Sequence, residues 1–492
     1  MSDLLCSDLP TTPAPEVGVV LVTGASGYLG GRLVPELLAR GYQVRAMVRA
    51  DSAVYQDWWP EATTAVADAF NPDQLEAALA GVDTAYYLIH SLHLGPREFA
   101  AADINAAANF RAAAEKQGVK RIIYLGGLGD ITAPLSSHLR SRIEVARELQ
   151  AGTVPVTILR AAIIIGSGSA SYEIIRHLIR RLPMMVLPHW ARNRCQPISI
   201  RDVIKYLVAV LETPATSGRE FDIGGPVVLS YQQMLKELAA VTHRRTIIIP
   251  APFSILPVYA YLVSLFTPVP NAICQCLMEG LKNEVVCRGD DLKKLVPFET
   301  IGFREAVVRA LSREEQDSVY TRWSDAYPPA HELALKLHEL DRSPTYTARD
   351  SIESDKSLRA IFKSLCRIGG REGWFQGNWL WKLRGSLDRI LMGVGTSRGR
   401  KSYPHLEVND VIDFWRIEVI EPDSRLLLRA EMKLPGRAWL EFRLADNLSS
   451  RRLSVVAYYD TRTLFGRLYW YACLPFHHFI FRHLILSIEQ KS

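Results

Sequence analysis

Three glycines spaced three apart, Gly24, Gly27 and Gly30 in the run GASGYLG, mark the first place where this chain could do chemistry. A chain that must turn sharply and bring backbone N–H groups against a diphosphate needs positions without side chains. The start of a helix at the same place adds partial positive charge. The flanking residues have the matching order. VGVVLVTG is a continuous apolar run suited to a strand buried on both faces, and YLGGRLVPELLARG has apolar residues at helical spacing. YQVRAMVR reads as a second strand. This context predicts a dinucleotide site on Gly24, Ala25, Ser26, Gly27, Tyr28, Leu29 and Gly30.

The end of the second strand selects the cofactor, because a cation there accommodates a 2′-phosphate whereas an acid binds the free ribose hydroxyls. Arg49 stands at that end, with Arg45 on the same strand parity, so NADP(H) is favoured over NAD(H). Asp51 follows and is the alternative ribose partner.

The chain has 492 residues, 48% hydrophobic and 22% charged, with a formal charge of +6. It is too long for one ordinary core and too apolar for disorder, which predicts two or three globular units. Residues 1–345 hold 34 Lys+Arg against 36 Asp+Glu, and the remainder 24 against 16, so the basic excess lies in the last third. Residues 1–16 lack the apolar stretch of a secretory signal and read as a flexible tail, so a cytoplasmic protein is expected. Seven cysteines, an odd number without zinc spacing, read as reduced thiols, and no metal site is expected. The uncharged stretch 246–278 is broken by Pro250, Pro252, Pro257, Pro268 and Pro270, so it reads as a buried or pocket-lining segment; the alternative is contact with a membrane surface or an apolar partner. Residues 464–488 read as a helix packed on a sheet. No nucleic-acid reader motif accompanies the charge, so no nucleic-acid partner is expected.

The spacing over residues 17–311 resembles the atypical short-chain dehydrogenases, including NmrA-like proteins and the accessory NAD(P)-binding subunit of respiratory complex I. The resemblance implies that Asp68 and Ala69, in VADAF, contact the adenine, and that Leu88, Ile89 and His90, after GVDTAYY, lie beside the cofactor. It places Asn105 at the family's structural Asn. A reductase of this fold uses a Ser or Thr after the strand KRIIYLGG and a Tyr-x-x-x-Lys on the next helix, which polarise and protonate a carbonyl. This chain departs from that pattern. The strand ends in Gly126 and Gly127, and the helix offers His138 and Arg142 where Tyr and Lys would stand. The expectation is that Arg142 holds a ribose hydroxyl and that His138, when charged, donates the proton. Ser167, Ser169 and Ser171 would face the nicotinamide.

Beyond residue 357 the strand-length stretches DVIDFWRIEVIE, RLLLRAEMKL, RAWLEFRLAD and RLSVVAYYDT describe an antiparallel meander before the final helix. This order resembles the helix-grip, START-like fold, whose cavity implies an apolar or aromatic ligand. Trp374, Trp379, Trp381 and Trp415 read as core or cavity lining, and Arg398, Arg400 and Lys401 as a solvated hairpin tip with phosphate or anionic-membrane contact as the alternative. The expected fold class is therefore α/β: a doubly wound Rossmann sheet over 17–330, a linker over 331–356, and an α+β helix-grip domain with an antiparallel sheet over 357–492. The expected function is NADP(H)-dependent reduction of a small apolar carbonyl, enone or quinone. The alternative is a non-catalytic NADP(H) sensor or accessory protein peripheral to a respiratory or other membrane complex.

Overall fold

The computed structural model describes residues 4–49, 54–90, 99–129, 135–251, 254–312, 337–340, 342–369, 373–374, 378–391, 393, 395, 406, 408, 410–447 and 450–492. Two compact units divide the chain: Met1–Thr267 with Asn271–Ala326, and Pro268–Pro270 with Tyr327–Ser492.

The first unit is built on a seven-stranded sheet of β1 (Val19–Val22), β2 (Gln43–Val48), β3 (Thr63–Val66), β4 (Thr84–Tyr87), β5 (Arg121–Gly127), β6 (Val156–Ala161) and β7 (Glu220–Ile223). Every pairing is parallel and the order is β7-β6-β5-β4-β1-β2-β3. Crossover helices include α1 (Gly30–Ala39), α2 (Pro72–Leu79), α3 (Phe99–Lys116), α4 (Ser137–Gln150), α5 (Ala170–Arg181) and α6 (Ile200–Leu211). They cover both faces, which is why the strands are apolar on both parities. Val20 and Val22 of β1 join one core with Leu33, Leu37 and Leu207, while Leu21 joins the other with Leu75, Phe110 and Tyr124. The remaining helices of this unit include α7 (Tyr231–Val241), α8 (Leu256–Phe266), α9 (Asn271–Gly280) and α10 (Phe303–Leu311).

The flexible tail expected over 1–16 is overturned for its described residues, which dock on this unit. The buried Glu36 carboxylate accepts the N–H groups of Leu5 and Cys6 at 2.8 and 3.0 Å. Arg40 donates to the carbonyls of Cys6 and Thr11 and to Glu212, and Tyr42 receives the N–H of Ala14. Composition concealed this because the partners lie on α1 and after α6. All seven cysteines are free thiols.

The second unit carries a six-stranded antiparallel sheet of β8 (Tyr346–Ser354), β9 (Val411–Ile412), β10 (Trp415–Glu421), β11 (Arg425–Ala430), β12 (Arg437–Asn447) and β13 (Ser450–Asp460), in the order β8-β13-β12-β11-β10-β9. Its helices among the described residues include α11 (Leu358–Leu365), α12 (Asn378–Ile390) and α13 (Leu464–Gln490). Phe481, Leu484, Ile485 and Ile488 on the last turns of α13 pack with Ile417, Leu428, Phe442 and Val455 of the sheet. The linker expected over 331–356 is corrected, because β8 pairs with β13 from Tyr346 to Ser354. Its sequence YTARDSIES is mostly polar, so only Ile352 enters the core and the strand gives little apolar signal. The cluster Arg398, Arg400 and Lys401 lies outside the described residues, as does Asp51.

No helix among the described residues is long and apolar enough to cross a membrane.

Candidate functional site

The strand order reverses between β1 and β4, and a crevice opens at the carboxyl ends of these strands, where doubly wound sheets hold their ligands. The glycine turn leads from β1 into α1 at this edge. Gly24 has φ +60°, a left-handed conformation that disfavours side chains. A Cβ on Gly30 would sit 2.4 Å from the Gly24 carbonyl oxygen and 2.6 Å from Ala25 Cα, so the third glycine permits the helix to pass against the strand. No side chain caps the start of α1. Its first N–H groups and this bare cradle fit a diphosphate.

A cleft of about 410 Å³ runs from this turn. Gly24, Gly27, Tyr28, Leu29 and Gly30 line one end, and Leu88, His90, His138 and Arg142 stand farther along. Ala25 is turned into the core with its N–H on Met47 O, and Ser26 is not among the lining residues. Ile89 packs on the core of the opposite face instead of the cleft.

The polar centre joins His90, His138 and Arg142 to a fourth residue, Asp103, that the family resemblance did not point to. Asp103, buried on α3, places Oδ2 2.7 Å from His90 Nδ1. The His90 and His138 rings lie 5.1 Å apart at a 35° tilt. The Arg142 guanidinium lies 4.9 Å from the Tyr124 ring and donates through Nη2 to Leu125 O. Its buried Nη1 has no hydrogen-bond partner among the described residues. Burial, then the charge of Arg142, lowers the pKa of His90, with Asp103 opposing them. Burial, His90 and Arg142 together hold His138 well below the ordinary imidazole value. The expectation of a charged His138 as proton donor meets a site that opposes it: the half-buried ring lines the cleft beside a guanidinium, a setting that favours the neutral imidazole. Asp103 left a trace in the sequence, as the acid within an otherwise alanine-rich helix, but its partner could not be read there.

Other expected positions divide. Arg49 is exposed just past β2, as a contact to a 2′-phosphate requires, whereas Arg45 donates to Ala78 O and Ala80 O at the end of α2. Asp68 is exposed and orders its own turn by accepting the N–H of Phe70, while Ala69 is buried and its carbonyl accepts from Asn109. Asn105 is exposed on α3, and it is Asn109, one turn later, that ties this helix to the Ala69 carbonyl. Ser169 caps α5 and, with Ser171, lines the cleft, whereas Ser167 is buried away from it with its carbonyl held by Arg32. Among the described residues of the stretch 246–278, Leu277 and Met278 line the cleft, while Leu256, Tyr259, Ala260, Ile273, Cys274 and Cys276 are buried in the unit. Ile163, Ile164, Ile165, Ile174, Ile175 and Met234 contribute to the apolar wall.

Residues 24–182 match a family described as NAD(P)H-binding, and residues 342–484 a family described as a protein of unknown function, DUF2867. The chain is similar to a 3-beta-hydroxysteroid dehydrogenase of Mycolicibacterium neoaurum, 33% identical over 25% of this chain and 38% of that protein. It is 26% identical to the mitochondrial NADH dehydrogenase [ubiquinone] 1 alpha subcomplex subunit 9 of Arabidopsis thaliana, over 44% of this chain and 56% of that one. It is 24% identical to the divinyl chlorophyllide a 8-vinyl-reductase of the same plant, over 45% and 57%. The chain thus spans about half the length or less of these relatives. Among solved structures, the Citrobacter sp. triphenylmethane reductase complexed with NADP(H) aligns with a TM-score of 0.49 at 20% identity, covering 60% of this chain and all of that one.

The first unit is an NAD(P)-binding Rossmann domain similar to the atypical short-chain dehydrogenases, and the proteins it resembles include oxidoreductases and a complex I subunit. The second unit carries a DUF2867 domain built on an antiparallel sheet.

Proposed function

We propose that the first unit is an NADP(H)-dependent reductase of an apolar carbonyl, enone or quinone. The observation that supports this most is the continuity of the cleft, from the glycine turn past His138 to a wall of Ile163, Ile174, Ile175, Met234, Leu277 and Met278. Apolar walls select an apolar substrate, and the few polar groups orient it. Gly24, Gly27 and the start of α1 hold the diphosphate, and Arg49 takes the 2′-phosphate. What the reduced cofactor supplies when bound is a hydride for the electrophilic carbon. His138, uncharged, donates a ring N–H to the substrate oxygen, as a neutral imidazole can do in polarising a carbonyl. Asp103 accepts the Nδ1 proton of His90 and holds that ring in one tautomer. Arg142 keeps one N–H toward the cleft for a hydroxyl. The oxygen, negative after hydride arrival, takes its proton from water.

The test is NADPH oxidation against a panel of quinones, enones and aldehydes. Turnover by the wild type and a loss of about 100-fold in His138→Ala are expected, the usual cost of removing an oxyanion donor. Absence of turnover across the panel would overturn the reading.

A second reading, peripheral contact with an anionic membrane surface, rests on a different face of the first unit. Strands Met184–Leu187 and Ile247–Pro250 pair in parallel and expose Met184, Val186, Ile247 and Ile249 on one side. Exposed Arg180, Arg181, Arg244 and Arg245 precede the two strands at their common end. Apolar side chains rimmed by arginines suit acidic headgroups. Flotation with phosphatidylserine vesicles but not with phosphatidylcholine vesicles is expected, and loss of flotation in Ile247→Glu. Equal recovery with both vesicles would overturn it. For the second unit, the order strand, two helices, meander and long helix supports the helix-grip reading.

A further inference from the structure

We propose that the second unit holds a binding site for an uncharged aromatic or polycyclic molecule carrying a carbonyl oxygen, recognised by Trp381 and Trp415. The proposal is independent of the redox reading of the first unit.

A cavity of about 300 Å³ lies among α12, α13 and the sheet strands β10, β12 and β13. That volume is at the lower end of the roughly 300–1,000 Å³ of small-molecule pockets. Its walls are aromatic. Trp381 meets Trp415 edge-on at 6.2 Å, while His477 lies stacked on Phe481 at 5.1 Å and edge-on to Trp470 at 4.9 Å. Flat rings fit such walls in stacked or edge-on contact.

The polar atoms of the lining define the rest of the ligand. The indole Nε1 atoms of Trp381 and Trp415 are buried and have no hydrogen-bond partner among the described residues. A buried N–H without an acceptor is costly, and tryptophan can only donate. Two open donors therefore call for an acceptor on the ligand. His477 Nδ1 is likewise buried without a partner, and burial lowers that imidazole's pKa to about 4, so it brings no charge. The one guanidinium in the lining, Arg384, is already committed to Lys433 O at 3.0 Å, Tyr469 Oη at 3.3 Å and Asp388 at 3.8 Å. With its charges balanced, the cavity favours a neutral acceptor, a ketone or quinone oxygen, over a carboxylate.

Entry also fits an apolar guest. Leu383 and Leu387 on α12 and Phe476 on α13 line the cavity and are also exposed, so its mouth lies between these two helices and is rimmed by apolar side chains.

The test uses the full chain without cofactor, in equilibrium dialysis against three matched probes: 9-fluorenone, fluorene and fluorene-9-carboxylate. The ketone should bind more tightly than the hydrocarbon, and the hydrocarbon more tightly than the anion. Trp381→Phe and Trp415→Phe, which keep a ring and remove the N–H, should each weaken fluorenone about 3- to 10-fold and leave fluorene unchanged. That retained fluorene binding shows the variants are folded. Ala438→Phe, at a lining position, should weaken both neutral probes. Fluorenone binding no tighter than fluorene, equal losses of both in the tryptophan variants, or indifference to Ala438→Phe would each overturn the proposal, as would tightest binding of the anion.

Discussion

Asp103 on α3 and His90 at the end of β4 meet at 2.7 Å, with the carboxylate almost wholly buried. The pair gives the neutral His90 ring one defined tautomer, because a carboxylate accepts the Nδ1 proton and leaves Nε2 as the acceptor. Asp103→Asn keeps the shape but lets the amide present either end. We expect turnover to fall about 10-fold while KM for NADPH stays near the wild-type value, a split that steady-state kinetics would read. Unchanged turnover would remove the pair from the reaction.

Burial, His90 and Arg142 all disfavour the charged form of His138, and Asp103 opposes them only in part. The pH profile of kcat/KM should accordingly be flat from pH 8 down through the ordinary imidazole range near 6.5 and fall only in more acid solution. A decline centred near 6.5 that disappears in His138→Ala would contradict the neutral role.

Gly30→Ala places a methyl group 2.4 Å from the Gly24 carbonyl oxygen. Backbone lies on the other side of this contact, so it can be relieved only by moving α1 from β1. Overpacking of this kind costs about 1–3 kcal/mol, and calorimetric titration should show NADPH binding lost or weakened more than 10-fold.

Arg49→Glu should weaken NADPH about 10- to 100-fold, through loss of a charge-assisted contact, and leave NADH nearly unchanged. Equal effects on both cofactors would relocate the 2′-phosphate.

Asp202, in the first turn of α6, is buried, and its Oδ2 accepts the N–H of Ile301 at 3.0 Å. Burial raises its pKa to about 6, from 3.8. Because the folded state holds this proton more tightly than the unfolded chain, the contribution is most favourable below pH 4 and is lost as pH rises through 6. Asp202→Asn should therefore raise the melting temperature at pH 8, by an amount on the order of 1–3 kcal/mol in stability, and give little gain at pH 4. A gain independent of pH would assign the effect to something other than ionisation.

The glycine turn and its flanking strands were readable because they are local: a buried strand, three glycines and an amphipathic helix follow one another within about thirty residues. The meander of the second unit was readable for the same reason, each strand ending at turn residues. β8 was not. Its mostly polar residues become a strand through pairing with β13, which runs from Ser450 to Asp460 far along the chain. Trp379, expected in a core or cavity wall, is 63% exposed on the outer side of α12, while Trp381 two positions later lines the cavity. Composition cannot distinguish two tryptophans on one helix.

The sequence by itself determined a glycine turn between a buried strand and an amphipathic helix, an arginine at the end of the second strand, and His138 and Arg142 at the spacing where the family it resembles carries Tyr and Lys. Those conclusions depend on residues close in the chain, where spacing sets geometry. Only the tertiary structure decided that Asp103 meets His90, that burial, His90 and Arg142 press His138 toward its neutral form, and that Trp381 and Trp415 share a cavity. Burial and charge act through space, and the groups that shift a pKa or leave an N–H without an acceptor come from segments whose proximity no local pattern encodes.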